Sequence, residues 1–293
     1  MKHAPIYLML VLLAGVGCSP PENSASNQDT PGTDAELLEA IYCGDGDIPE
    51  DFSSPDALNK RCFWMNNQRE LEFFVREFGD LGEYINLGIR HLDADDLSIM
   101  SDMEDFRVHR FQIDQTELKS LEGLEKLQQV RTLKISSNPR LTRIDALTGL
   151  QQVDYEVTLR FNDALESADL PNLKRIGTDA FFDGALIIDQ NHGIEVIDGF
   201  GALEQIGRIS IVDNHALTRI EGFRALETID GFGLGIGGNP KLESIDGFDS
   251  LTRPEKCNIL DNSSLSACNV ETFCAKLNAE SSLNTGNKIC SPM

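Results

Sequence analysis

From Leu133 onward, apolar and polar residues recur in one fixed order along the chain. A short alternating apolar pair comes first, then an asparagine three residues past its second member, then apolar residues at nearly every third position. Ile209 to Ile229 and the stretch beginning at Leu234 share the skeleton L-x-I-x-x-N-x-x-L-x-x-I-x-G-F-x-x-L. Successive strands are expected to start at Leu133, Val157, Leu186, Ile209, Leu234 and Cys257, at intervals of about 23 to 29 residues, the range of leucine-rich repeats. Alternation with period two points Leu133 and Ile135, Ile209 and Ile211, Leu234 and Ile236 to one side of a strand. Earlier copies are more degenerate. Ile85, Leu87 and Ile89 mark a first strand, and Phe111 to Ile113 a second, with Leu118, Leu121, Leu124 and Leu127 on its return path. The longest unit carries extra residues around Asp179 to Gly184, an expected surface loop. The pattern predicts a mainly β parallel solenoid of about eight coils, with a stack on the order of 40 Å long.

The asparagines Asn138, Asn162, Asn191, Asn214, Asn239 and Asn262 hold the same place in each unit. An amide carries both donors and an acceptor. Stacked in register, these side chains can form a ladder that satisfies the buried backbone of the turns. The glycines before Phe200, Phe223 and Phe248 are expected to permit a tight bend.

The open ends of a solenoid need covers. Ahead of the repeats, Asn67-Gln-Arg-Glu70 resembles a capping box, followed by Leu71, Phe74, Val75 and Phe78 at helical spacing and by Gly79 as a stop. Beyond the repeats, Val270, Phe273, Cys274 and Leu277 predict a closing helix with Asn269 as its N-cap. Residues 36–83 therefore form an N-terminal cap, 84–262 the repeats, and 263–293 a cysteine-rich C-terminal cap.

Composition adds the address. Lys2, an apolar run from Ile6 to Val16 and small residues before Cys18 describe a signal peptide over residues 1–17. The ending Leu-Leu-Ala-Gly-Val-Gly-Cys is similar to a bacterial lipobox, in which the cysteine, here Cys18, is lipidated; ordinary cleavage and secretion is the alternative. Residues 18–35, rich in Ser, Pro, Asn and Asp, read as a tether. Of the seven cysteines, lipidation of Cys18 leaves Cys43, Cys62, Cys257, Cys268, Cys274 and Cys290, an even number suited to disulfides in an exported chain. A Cys43–Cys62 bridge would hold the N-terminal cap. Among the last four, Cys257–Cys274 with Cys268–Cys290 is favoured over the other connectivities. Register places Cys257 and Cys268 in the core columns of Leu234 and Ile245. No C-x-x-C pair supports a thiolate metal site. The formal charge of −23, from 48 acidic and 25 basic residues, argues against nucleic acid or an anionic membrane surface as partner.

The string N-x-x-L-x-x-I-x-G-F-x-x-L-x-x-I at Asn214 to Ile229, and the closing segment Asn262 to Cys274, resemble the receptor L-domain branch of leucine-rich-like repeats. That family includes growth-factor receptor ectodomains and many bacterial surface lipoproteins. The resemblance covers Tyr84 to Cys290 and implies a right-handed leucine-rich-repeat-like β-helix with ligand recognition as its role. Departing from the receptors, the chain has one solenoid and no cysteine-rich module.

No nucleophile elbow, metalloprotease, phosphate-loop or dinucleotide signature is present, so neither enzymatic activity nor a cofactor is expected. His192 and His215 each follow a ladder asparagine and could stack, share a metal or sense pH. The same column holds Pro139, Asp163, Pro240 and Ser263, which suggests a permissive turn. Asp145, Asp169, Asp198, Glu221 and Asp246 form a column that turn chemistry explains and that calcium could occupy. Outward strand positions read Lys134/Ser136, Thr158/Arg160, Ile187/Asp189, Ser210/Val212, Gly235/Gly237 and Asn258/Leu260, with no dominant hot spot. The expectation is a monomeric, non-catalytic envelope lipoprotein recognising a protein or a glycan. Ser19 after the lipidated cysteine points to the outer membrane, by the sorting rule of some enteric bacteria. The alternatives are an architectural envelope protein and a β-helix enzyme acting on polysaccharide.

Overall fold

The computed structural model describes residues 33–288 apart from 45–46, 55–56, 58–59, 104–105, 178–183, 253, 255, 278–279 and 282–285. The signal peptide, Cys18, most of the tether, Cys290 and most of the predicted loop lie outside these residues. The chain is a parallel β-solenoid. Its long sheet takes strands β1 (Cys62–Met65), β2 (Glu83–Arg90), β3 (Arg107–Asp114), β4 (Gln129–Ser136), β5 (Gln152–Arg160), β6 (Arg175–Ile176) and β7 (Ala185–Asp189). A second wall starts with β8 (Val196–Ile197), and the long sheet continues with β9 (Gln205–Val212). Then β10 (Arg219–Ile220) alternates with β11 (Thr228–Gly237), β12 (Ser244–Ile245) with β13 (Lys256–Leu260), and β14 (Glu280–Ser281) closes the order. The result is an 11-stranded sheet opposed by a 3-stranded one of order β12-β10-β8.

Sequence period becomes packing through register. Phe111, Leu133, Val157, Leu186, Ile209, Leu234 and Cys257 pair in line, as do Ile113, Ile135, Leu159, Ile188, Ile211, Ile236 and Ile259. Both columns are buried. The last apolar position of the repeat, read from the sequence as coil filling, proves to be a third buried column of the long sheet: Tyr84, Val108, Val130, Val153, Ile176, Ile206 and Ile229. Strands β2, β3, β4, β5, β9 and β11 are thus longer than the repeat suggested and bend between their two halves, while β6 and β7 hold the two halves as separate strands. Because of that bend Tyr84 and Leu87, three residues apart, both face inward, and Ile85, expected as core, does not. On the far side Phe200, Phe223 and Phe248 stack at 5.2 and 4.9 Å between ring centroids.

The asparagine ladder forms as a continuous chain of hydrogen bonds. Each Oδ1 accepts from the backbone N–H of the preceding rung, and each Nδ2 donates to a strand carbonyl of the preceding coil, for instance Asn162 to Ile135 at 3.0 Å. Thr116 occupies the first rung, donating to Asn138, and Asn287 closes the last. Immediately before the rungs stand Gln115, Ser137, Phe161, Gln190, Asp213, Gly238 and Asp261, all with positive φ. That left-handed residue turns the chain so that the asparagine points inward, a cost of about 1 kcal/mol for a non-glycine offset by the buried bonds.

The glycines before Phe200, Phe223 and Phe248 serve a different purpose from the one expected. None has positive φ. A Cβ on Gly222 would lie 2.8 Å from the Asp198 backbone, and one on Gly247 would lie 2.3 Å from that of Glu221. They are glycines because successive turns touch.

The N-terminal end is covered by α1 (Asp34–Ile41), with a Thr33–Glu36 capping box, and α2 (Gln68–Phe78), whose N-cap Asn67 accepts from Glu70 N–H. Glu70 accepts from Asn66 N–H at 2.7 Å and from the Asn67 side-chain Nδ2 at 2.8 Å, rather than from the cap residue's backbone N–H. Cys43 bonds to Cys62. At the other end α3 (Ala267–Lys276) starts after Ser266, so Asn269 lies inside the helix and is not its N-cap. Cys257, 1% exposed, bonds to Cys274 from its core column. Cys268 is also disulfide-bonded, yet it is exposed on the first turn of α3 and in no core column.

Candidate recognition face

Outward positions of the long sheet form rows across the coils. The lower row is Glu83, Arg107, Gln129, Gln152, Arg175, Gln205 and Thr228, placed in line by the same pairing that buries the third column. Sequence reasoning missed it. The signal was present as a repeated dipeptide, a polar residue then an aliphatic one, in Gln129-Val130, Gln152-Val153, Arg175-Ile176, Gln205-Ile206 and Thr228-Ile229. The upper rows run Gln112, Lys134, Thr158, Ile187, Ser210, Gly235, Asn258 and Asp114, Ser136, Arg160, Asp189, Val212, Gly237, Leu260, as expected. At the bend β5 carries one extra residue relative to β4, and Tyr155 stands there 44% exposed. Gln129 and Gln152 both donate to Asp154 beside it, at 3.3 and 2.8 Å.

Charge along the face is partly compensated. Lys134 pairs with Glu156 at 3.3 Å, Arg160 with Asp189 at 2.8 Å and Arg90 with Asp114 at 3.8 Å. Burial pushes the Asp189 carboxyl above its usual range, and the Arg160 guanidinium pulls it back. Arg160 also lies over the Phe161 ring, 4.8 Å from its centroid. Arg107, Arg110, Arg131 and Arg208, by contrast, have no carboxylate or hydrogen-bond acceptor at their guanidinium groups among the described residues. Toward the C-terminal end Gly235 and Gly237 leave the strand bare: a Cβ there would meet no atom closer than 3.4 Å.

The other candidates fall elsewhere. His192 and His215 do stack, with ring centroids 4.4 Å apart and planes within 11°, both exposed on the turn after the ladder. The acidic column runs along a different edge. Partial burial raises the Asp169 carboxyl above its usual range, the Ser167 hydroxyl lowers it, and Asp198 and Asp145 raise it further. Among the described residues no group of three or more His, Cys, Asp or Glu is placed to hold a metal ion. A groove of about 450 Å³ lies between β12 and α3, floored by Phe248, Val270 and Phe273 and rimmed by Asp246, Asp249 and Lys276. Among the described residues no helix is long and apolar enough to cross a membrane.

No family model, no curated protein and no solved structure matches this chain.

Proposed function

We propose that the protein is an exported, lipid-anchored envelope protein without catalytic activity, whose solenoid recognises a protein or a glycan through the outward face of the long sheet. The observation that carries this reading is a contrast within each coil. Inward columns and ladder repeat the same residue types from coil to coil. Outward positions between the same strands change from Lys134 to Thr158, Ile187, Ser210 and Gly235. A scaffold that repeats while its exposed face varies suits a presented surface. Disulfides at both ends are compatible with an exported chain, and lipidation of Cys18 would tether it to the outer membrane.

Capture from envelope extract with the affinity-tagged full-length protein tests the reading. A reproducible partner that is lost when Lys134, Thr158 and Gln129 are replaced by alanine supports it. Absence of any partner, or a partner retained by that variant, removes the sheet face from recognition and leaves an architectural role. Membrane fractionation of wild type against Cys18→Ser tests the anchor. Equal release of both would refute lipidation.

A further inference from the structure

The net charge of −23 describes the molecule and not this face. With 48 acidic residues against 25 basic ones, an arginine on this surface is seldom far from a carboxylate. Away from the long sheet every described arginine has a partner: Arg140 binds Glu117, Arg143 binds Glu122, and Arg219 binds Glu221; Arg61, Arg69, Arg76 and Arg224 are likewise engaged. The described arginines without one are Arg107, Arg110, Arg131 and Arg208, and all four stand on strands of the long sheet.

Three of the four are close together. Arg107 and Arg110 lie on β3, about 10 Å apart along the strand, and Arg131 lies on β4, about 4.8 Å across, next to Thr132, which pairs with Arg110. Core residues Val108 and Phe111 bracket Arg110, and Val130 and Leu133 bracket Arg131, so the bend turns these cations outward together. On β4 and β5 follow the amides of Gln129 and Gln152, each giving one N–H to Asp154, and the exposed ring of Tyr155; on the other side Glu83, which pairs with Arg107 from β2, is bound by His109 rather than by an arginine.

We infer that Arg107, Arg110 and Arg131 form a docking site for a linear acidic polysaccharide, a chain carrying about one carboxylate per sugar. A guanidinium presents paired donors that match a carboxylate's two oxygens. The amides suit sugar hydroxyls, and the Tyr155 ring offers a flat apolar face for the C–H side of a pyranose. Charge density decides against nucleic acid. Duplex DNA carries one negative charge per roughly 1.7 Å of axis, and whatever extended beyond this small cluster would meet the acidic remainder of the molecule. A polyanion with charges spaced by whole sugars loses less there. This inference rests on the recognition reading and names a ligand class for it.

The test uses the full-length protein in detergent and polygalacturonate as probe, with dextran as the uncharged control and a DNA oligonucleotide and polyglutamate as competing polyanions. The expected result is binding to polygalacturonate but not dextran, weakened by salt, and reduced on the order of tenfold in Arg107→Ala/Arg110→Ala/Arg131→Ala. Because these guanidinium groups have no partner to lose, the variant should melt with the wild type. Arg110→Lys should bind more weakly than wild type despite its retained charge. Absence of salt-sensitive polygalacturonate binding, or equal binding by the triple variant, would overturn the inference, as would tighter binding of DNA or polyglutamate. A partner still captured from envelope extract through Lys134, Thr158 and Gln129 would leave the broader recognition reading standing when this one fails.

Discussion

Asn162 Oδ1 accepts two hydrogen bonds from Asn138, from its backbone N–H at 3.1 Å and from its Nδ2 at 3.0 Å. Asn191 does the same for Asn162 and donates in turn to the carbonyls of Leu159 and Asp189. Replacing Asn191 with alanine leaves the buried Asn162 N–H without its acceptor and takes a donor from the Leu159 carbonyl, while the Asp189 carbonyl still accepts from Phe161 N–H. A loss of about 3 kcal/mol or more is expected, read by urea denaturation. A loss under about 1 kcal/mol would mean that water replaces the amide and that the ladder is not a structural requirement.

Trp64 lies flat on the next strand where a side chain would otherwise stand. A Cβ on Gly88 would be 2.2 Å from the indole, and Arg90 covers the ring at 5.4 Å. Gly88→Val should therefore displace Trp64 and loosen the N-terminal cap by about 1–3 kcal/mol. The chain has one tryptophan, so its emission reports the event directly. A red shift is expected from a ring that is now 3% exposed.

The two disulfides should differ in their dependence on context. Each closes a loop of similar length, 19 and 17 residues apart, for which about 3 kcal/mol is expected. Cys257 is buried in the strand column while Cys43 is only half-buried. Cys257→Ser adds an unpaired hydroxyl to the core and should lower the melting temperature more than Cys43→Ser. Equal shifts would show that chain closure alone matters.

Asp169 offers a pH test. Its carboxyl is raised in the folded state, so the folded protein binds the proton more readily than the unfolded chain. Stability from this group is then present at low pH and falls as pH rises from the ordinary aspartate value near 4 through the raised one. Asp169→Asn, which keeps an acceptor for the Ser167 hydroxyl, should be slightly more stable than wild type at pH 7, by less than about 1 kcal/mol. The difference should disappear below about pH 4. Greater stability of the wild type at neutral pH would sink the assignment.

The inward columns and the ladder were legible in the sequence because each is a fixed residue type at a fixed interval. The lower half of the long strands was not legible as strand. Its one core residue per coil, such as Val130 or Val153, follows the bend and looks like the tail of the preceding unit. The same extrapolation put Cys268 in a core column: the period was carried past Leu265, where the chain leaves the coil, bridges Ser266 to Lys288 and enters α3. The unpaired arginines escaped notice for a related reason. Net charge is a sum, and only register shows which cations share a face with no carboxylate bound at their guanidinium groups.

The ladder also has a direction. Every rung's backbone N–H finds its acceptor on the coil that follows, from Thr116 to Asn287. A coil is therefore finished only when its successor has been laid down. For a chain that crosses a membrane amino-end first, this makes completion vectorial, with the growing end always one acceptor short. Asn287, contributed by the C-terminal cap, closes what would otherwise be a permanently open register.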